Sequence, residues 1–149
     1  MSSIDPINWE NRTADISEKD SLIKGSDYLS VYSEIYDRSE KRTINLTATV
    51  SMRNMSSRDS IYVFRADYFN TSGELIRTYF EEPIYIEPME TIEIVIDQVD
   101  EAGGIGANFI FDWASPHPEV KPHFEAVMIS TSSQQGISFT TEGIRRSGE

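Results

Sequence analysis

The most regular pattern in the chain is an alternation of apolar and polar side chains between residues 42 and 54. Threonine, serine, asparagine and arginine separate the apolar residues, which are Ile44, Leu46, Ala48, Val50 and Met52. Successive side chains of a β-strand point to opposite faces of a sheet, so this period of two predicts one buried and one solvated face. We expect the segment to be a central strand of a two-layer β fold.

Runs of aromatic and β-branched residues predict further strands, because such side chains suit a pleated, half-buried surface. These runs are residues 27–36, 61–69, 74–80, 84–86, 90–97, 108–113, 124–130 and 136–141. In residues 61–69 the apolar positions change parity, and a bulge near Phe64 or Arg65 would let both sets face the core. Asn70 and Gly73 predict a tight hairpin turn after this strand.

About eight strands, with turn signals between them and no long helix, predict an all-β, antiparallel two-sheet sandwich of the immunoglobulin or fibronectin type III kind. A small barrel is the structural alternative. Phe109, Phe111 and Trp113 share one parity and are expected to fill much of the core. We expect an N-terminal arm or tether over residues 1–25, the sandwich domain over residues 26–142, and a frayed tail over residues 143–149.

Composition narrows the classes of function. The 13 basic and 25 acidic residues give a formal net charge of -12, which disfavours binding to a phosphate backbone. The chain has no cysteine, which excludes disulfides and thiolate catalysis. No apolar run is long enough to span a bilayer. We therefore expect no nucleic-acid partner and no transmembrane segment.

Several segments together resemble an uncharacterised bacterial family, the domain of unknown function numbered 3124. The segments are residues 49–54, 67–75 (DYFNTSGEL), 103–113 (GGIGANFIFDW), 125–129 and 133–139 (SQQGISF). The resemblance covers residues 27–141 and implies a bacterial protein that is often exported and sometimes lipid-anchored, with no assigned activity. A looser similarity to fibronectin-like domains of extracytoplasmic bacterial proteins supports the fold alone.

The polar N-terminal residues after Met1 fit a protein from which a signal peptide has been removed, or an initiator methionine that replaces an acylated cysteine. These observations predict a periplasmic, cell-envelope or extracellular location. They leave open an N-terminal lipid anchor in the natural protein.

Acidic residues beside a glycine-rich run are the first candidate metal site. Asp97, Asp100 and Glu101 offer hard oxygen ligands for calcium, although the ligand spacing of an EF-hand is absent and a solvated acidic turn is the simpler interpretation. Gly103 and Gly104 precede a strand and not a helix, so they do not form a phosphate loop. We expect these glycines to permit a tight turn or close packing beneath Trp113.

Two histidines are the second candidate metal site. His117 and His123 lie near Asp112 and Glu119, and imidazole with carboxylate can hold zinc. Their loop contains three prolines and gives no helix or hairpin to fix the ligand geometry. Solvated surface histidines are therefore the competing interpretation, and neither calcium nor zinc is expected as an obligatory cofactor.

Tyrosines of the first predicted strand are the candidate ligand or interface residues. Tyr28, Tyr32 and Tyr36 share one parity, and if exposed they would form an aromatic strip able to bind a sugar, a peptide strand or another copy of the domain. The competing interpretation is that they face the core, because three large apolar side chains in water favour association.

No recognisable nucleophile, base and orienting acid occur together, so an enzyme is not expected. The leading interpretation is a non-enzymatic, exported bacterial binding or scaffolding module. One alternative is an ion-binding protein or a small metal-assisted hydrolase that uses loops 97–106 and 112–123. Another is a structural protein that forms a homo-oligomer by pairing edge strands, around residues 83–88 or 27–36.

Overall fold

A computed structural model of the chain describes residues 8–16, 21–37, 39–97, 100, 102–131 and 136–148. Within these residues the chain forms one short 3₁₀ helix, Trp9–Arg12, and twelve strands. The strands are β1 (Ile23–Val31), β2 (Glu34–Asp37), β3 (Ser39–Asn45), β4 (Thr47–Asn54), β5 (Ile61–Phe69), β6 (Leu75–Thr78), β7 (Ile84–Ile86), β8 (Thr91–Ile96), β9 (Ala107–Ser115), β10 (Pro122–Ser130), β11 (Ile137–Glu142) and β12 (Ile144–Gly148).

Two antiparallel sheets and one hairpin account for these strands. The larger sheet has the order β12-β1-β9-β5-β6, and β7 also pairs with β5. The smaller sheet has the order β11-β10-β4-β8, and β2 and β3 form a two-stranded hairpin. Strands that follow one another in the chain often lie in different sheets, as β4 and β5 or β9 and β10 do. The all-β, two-sheet architecture predicted from the sequence is confirmed.

The core lies between the two sheets and is built from one face of each. The larger sheet contributes Phe109, Phe111 and Trp113 of β9, which are all at most 1% exposed, as predicted. Their rings continue into the smaller sheet, since Phe111 stacks on Phe124 with ring centroids 4.1 Å apart. Close ring packing of this kind accounts for much of the apolar area that folding removes from water.

The alternating segment at residues 42–54 supplies the centre of the smaller sheet. Leu46, Ala48, Val50 and Met52 are fully buried, and β4 lies between β10 and β8. The predicted single strand is nevertheless two strands, because the chain bends at Leu46 and the first half pairs with β2. The predicted strand over residues 27–36 is likewise divided between β1 and β2. These two divisions and the strand in the tail turn the nine predicted segments into twelve strands.

The bulge that the sequence allows near Phe64 or Arg65 is present. The register of β5 against β9 shifts between Val63 and Arg65. Ile61 and Val63 are buried on one side of the shift, and Ala66 and Tyr68, at positions of the other parity, are buried after it. One inserted residue therefore lets the whole strand keep its large apolar side chains toward the core.

Described residues near both ends of the chain make long-range contacts. Trp9 packs against Phe80 with ring centroids 4.9 Å apart, and Thr13 forms a bridge with Ile84 of β7. The tail expected to be frayed forms β12, which pairs with β1 and completes an edge of the larger sheet. The prediction of a frayed tail is wrong because β1 supplies hydrogen-bond partners for the backbone of β12, and such long-range pairing is not visible in the polar sequence of the tail. Among the described residues, no helix is long and apolar enough to cross a membrane.

Candidate functional site

A charged row crosses the side of the larger sheet that faces away from the core, which we call the outer face. Its members come from four neighbouring strands: Arg146 of β12, Ser26 of β1, Asp112 of β9, and Arg65 and Asp67 of β5. Arg146 Nη1 donates to Ser26 Oγ at 2.9 Å, and Ser26 Oγ donates to Asp112 Oδ1 at 2.6 Å. Arg65 Nη1 donates to Asp112 Oδ2 at 3.3 Å, and Arg65 Nε donates to Asp67 Oδ2. The row is continuous because cross-strand partners share one face.

Asp67 is the deepest member of the charged row. Its side chain is only 9% exposed, and one carboxylate oxygen is bound by Arg65. Within the described part of the chain, the other oxygen, Oδ1, is buried and has no hydrogen-bond partner. A buried acceptor without a donor costs about 1–3 kcal/mol, so the Asp67 carboxylate is a destabilising element of the outer face.

Arg65 joins the two acids of the row. The hydrogen bond to Asp67, and then that to Asp112, raises the pKa of the Arg65 guanidinium above its ordinary value. The guanidinium is therefore charged at every physiological pH. Among the described residues its Nη2 makes no hydrogen bond, and the side chain is 40% exposed. Arg65 can donate to a ligand without breaking either of its bonds within the row.

A second row, two residues further along the strands, is apolar on β12, β1 and β9, and its position on β5 is occupied by Asp67, which lies opposite Ile110. Tyr28 of β1 pairs across the sheet with Ile144 of β12 on one side and with Ile110 of β9 on the other. Tyr28 is 36% exposed and Ile144 is 67% exposed. Residues two apart in a strand lie about 7 Å apart on one face. The outer face thus places an exposed aromatic ring beside the charged row.

The last strand is held in place from the core side by a buried carboxylate. Asp27 Oδ1 accepts hydrogen bonds from Trp113 Nε1 at 3.0 Å and from Arg145 Nε at 2.9 Å. The Arg145 guanidinium also lies over the Trp113 ring, 4.6 Å from its centroid. The alternation of side chains then directs Ile144 to the outer face. The inner cluster fixes β12 and thereby positions two residues of the candidate site, Ile144 and Arg146.

Of the acidic candidates for calcium, the structure describes Asp97 and Asp100. Asp100 is committed to an ion pair with Arg77, and its side chain is only 10% exposed. The backbone carbonyl of Asp97 accepts the Asp100 N–H at 2.8 Å, which closes a turn. Glu101 lies outside the described residues. Among those that the structure describes, no three histidine, aspartate or glutamate side chains are grouped to hold a metal ion.

The two histidines lie in different surroundings. His117 is exposed in the loop between β9 and β10, and its backbone carbonyl accepts the Val120 N–H at 3.1 Å. His123 belongs to β10, where its Nε2 lies 3.4 Å from a Glu125 oxygen and 3.7 Å from a Glu142 oxygen. The structure thus pairs His123 with carboxylates of the smaller sheet, and not with Asp112 or Glu119 as the sequence suggested.

The three candidate tyrosines are separated. Tyr28 lies on the outer face of the larger sheet, as described. Tyr32 follows the end of β1 and packs edge-on against Phe139 with ring centroids 5.7 Å apart. Tyr36 lies on β2 and is 56% exposed. The chain bends between Val31 and Glu34, so the predicted common strip does not exist, and only Tyr28 joins other candidate residues.

The glycine-rich segment closes one end of the sandwich and does not lie beneath Trp113. A side chain at Gly103 would meet the Tyr68 hydroxyl, and it is Gly25 that lies against the Trp113 ring. Tyr68 shares a hydrogen bond of 3.0 Å with Ser33. Burial raises the pKa of Tyr68 above its ordinary value, and that of Tyr79 for the same reason. These tyrosines therefore stabilise the end of the fold in their neutral form.

Sequence reasoning missed the charged row. A signal for it does exist, since Arg65, Asp67 and Asp112 interrupt strands whose other polar residues are small or uncharged. The bulge in β5 and the pairing of the tail with β1 determine which of these side chains share a face, and neither register follows from local sequence. Arg146 is the member furthest from a sequence signal, because it lies in the tail that the sequence predicts to be frayed.

Together these features define an all-β protein of two packed antiparallel sheets with a charged and aromatic outer face. The chain belongs to the DUF3124 family of proteins of unknown function, whose family model matches residues 24–145. Among solved structures the chain is similar to a Thermotoga maritima protein, designated 1070, with a TM-score of 0.53 and 10% sequence identity. The match covers 84% of this chain and 97% of that chain, and it bears on the fold alone. No curated protein matches the chain.

Proposed function

We propose that this protein is a non-enzymatic binding module and that its ligand lies on the outer face of the larger sheet. The observation that carries the proposal is the charged row, in which the side chains of Arg65 and Asp112 are 40% and 32% exposed and, among the described residues, Arg65 Nη2 makes no hydrogen bond. Structural ion pairs satisfy both partners, whereas binding sites leave hydrogen-bonding capacity for the ligand.

The backbone beneath this face supports the proposal. Asp112 and Ser26 occupy central strands of the larger sheet, and the bulge in β5 aligns Arg65 with Asp112. Groups mounted on strands are held more firmly than groups mounted on loops, so the row is pre-organised for a ligand. Its position across four neighbouring strands of a sheet favours an extended ligand over a small one.

The location of the protein is a further part of the proposal. We infer an exported bacterial protein of the periplasm or cell envelope, with the N-terminal arm as a tether that can carry a lipid anchor. The resemblance of segments such as residues 67–75 and 103–113 to an exported bacterial family supports this location. The arm also lies almost entirely before residue 24, where the match to the family model begins.

The sandwich is proposed to be of the immunoglobulin or fibronectin type III kind. Support comes from the two antiparallel sheets, whose strands are connected repeatedly from one sheet to the other: β4 to β5, β8 to β9, and β9 to β10. Such domains present their free sheet faces and loops to partners. Binding on the outer face requires the two-sheet architecture alone and does not depend on whether the sandwich is of this kind.

Nuclear magnetic resonance provides the test. Isotope-labelled protein is titrated with a library of saccharides, peptides and lipid headgroups, and amide shifts are mapped onto the sheets. The proposal expects the largest shifts at Tyr28, Ile110, Asp112 and Ile144. Shifts confined to the outer face of the smaller sheet, at Thr49 and Val127, would contradict it.

A further inference from the structure

We infer that the ligand of the outer face is a neutral carbohydrate, bound with a sugar ring against Tyr28 and with hydroxyl groups on the charged row. The inference rests on the proposed function, because it names the chemical class of ligand for the same surface. It follows from the signs, the spacing and the exposure of the side chains on that surface.

The first step is the arrangement of charge. Along the row the sign alternates from Arg146 to Asp112 to Arg65, and the outer strands of this set are roughly 14 Å apart, since neighbouring strands lie about 4.8 Å apart. A ligand that spans the row therefore meets donors and acceptors in turn. Hydroxyl groups both donate and accept, so a polyol can satisfy every member.

The second step is the aromatic ring. Tyr28 lies diagonally across from Asp112, because Tyr28 is opposite Ile110 and Ser26 is opposite Asp112. Diagonal neighbours on a sheet face are about 7–8 Å apart, within reach of one ligand. Ile144 extends the apolar row beside Tyr28 and is 67% exposed. A sugar ring has an apolar face of C–H groups and a polar rim, and it matches an apolar row beside a polar one.

The charges of this surface disfavour anionic, cationic and apolar ligands. An anionic ligand would be repelled by Asp112 and by the net charge of -12. A cationic ligand would meet the guanidinium groups of Arg65 and Arg146. An apolar ligand would cover the charged row and remove it from water without compensating hydrogen bonds, which is costly. A neutral ligand rich in hydroxyl groups avoids all three penalties.

Affinity gel electrophoresis with soluble β-glucan, mannan, xylan and dextran tests the inference on the full chain, and calorimetry then measures the dissociation constant for any polysaccharide that retards it. Tyr28→Ala is expected to weaken binding by about tenfold or more, since it removes the ring against which the sugar packs. Tyr28→Phe keeps the ring and is expected to bind within about threefold of the wild type. Tyr36→Ala is the matched control, because Tyr36 is exposed on β2 and off the outer face.

The outcomes distinguish an error in the class of ligand from an error in the location of the binding surface. Failure of all four polysaccharides to bind at millimolar concentration would overturn the carbohydrate inference. Binding of heparin, included as an anionic polysaccharide, or of polylysine that is lost in Tyr28→Ala would also overturn it, while leaving the outer face as the binding surface. Binding of a neutral polysaccharide that Tyr28→Ala leaves intact and Tyr36→Ala abolishes would overturn the proposed surface. Thermal melting of each variant identifies any that fails to fold. If Tyr28→Ala does so, Asp112→Asn takes its place and is expected to bind at least about tenfold more weakly, and binding equal to the wild type would overturn the proposed surface.

Discussion

The indole Nε1 of Trp113 donates a hydrogen bond of 3.0 Å to the carboxylate of Asp27, between residues that are 1% and 7% exposed. The same carboxylate oxygen accepts Arg145 Nε from the last strand. A buried carboxylate requires a partner of opposite charge. This cluster therefore joins the largest side chain of the core to the C-terminal edge of the larger sheet, 118 residues away from Asp27 in sequence.

Removal of Arg145 is expected to destabilise the fold. Arg145→Ala leaves the buried Asp27 carboxylate with a neutral donor alone, which is expected to lower the free energy of unfolding by about 3 kcal/mol. Urea denaturation measures the change. Arg146→Ala on the same strand is the matched control and is expected to cost less than about 1 kcal/mol, because Arg146 is exposed. Equal losses in the two variants would contradict the role of the buried pair, as would a failure of Asp27→Asn to offset part of the Arg145→Ala loss.

Gly25 is required by the close approach of β1 to the Trp113 ring. A Cβ atom at Gly25 would lie 2.4 Å from Trp113 Cζ2, and the buried indole cannot move aside. Gly25→Ala is therefore expected to lower the free energy of unfolding by about 3 kcal/mol, at the upper end of overpacking effects. Ser30→Ala, on the opposite face of the same strand, is expected to change it by less than about 0.5 kcal/mol. Chemical denaturation that shows Gly25→Ala to be as stable as the wild type would refute the packing described for Trp113.

Alkaline pH is expected to destabilise the protein through its buried tyrosines. Burial raises the pKa of Tyr68 in the folded state above the unfolded value of about 10. The stabilisation is therefore complete below about pH 10 and is lost as pH rises beyond it, since the unfolded chain releases its protons first. Denaturation midpoints measured between pH 8 and pH 11 should fall less steeply in Tyr68→Phe than in the wild type. Parallel curves would show that this tyrosine does not titrate as described.

Met89 occupies a backbone conformation that favours glycine. Its φ is 65°, and the turn is closed by a hydrogen bond of 3.0 Å from Glu90 N to Glu87 O. Met89→Gly is expected to raise the free energy of unfolding by about 1 kcal/mol, because a non-glycine residue pays a steric penalty in this region. Met55→Gly is the matched control: Met55 is 61% exposed at the same end of the sandwich and has a negative φ, so glycine there should be neutral or destabilising. If thermal melting ranks the two variants the other way, the turn assignment is wrong.

Local pattern was sufficient for much of the fold. The alternation that ends in Val50 and Met52 identifies the buried face of β4, and the competing parities around Phe64 are compatible with the bulge that the structure shows in β5. Asn70 and Gly73 form the predicted hairpin turn, in which Gly73 has a φ of 85°. In each case the determining interactions involve residues close in sequence or the simple choice between a buried and a solvated face.

Long-range pairing explains what the sequence did not reveal. The tail was expected to be frayed because its residues are polar, yet Arg145 and Arg146 find partners on β1. The three tyrosines were grouped by parity, but the bend after Val31 places Tyr36 on a separate hairpin. The candidate site was recognised only in part, since Tyr28 was identified and the adjacent charged row was not.

The charged row is proposed to bind a ligand and to contribute little to the stability of the fold. Asp112→Asn keeps the size of the side chain and removes its charge. The free energy of unfolding of this variant is measured, together with its affinity for a polysaccharide that slows the wild type in gel electrophoresis. If the row binds a ligand, Asp112→Asn should change the free energy of unfolding by less than about 1 kcal/mol, as for exposed ion pairs, and should bind the polysaccharide at least about tenfold more weakly. A variant that loses several kcal/mol of stability, or that binds as tightly as the wild type, would contradict the proposal.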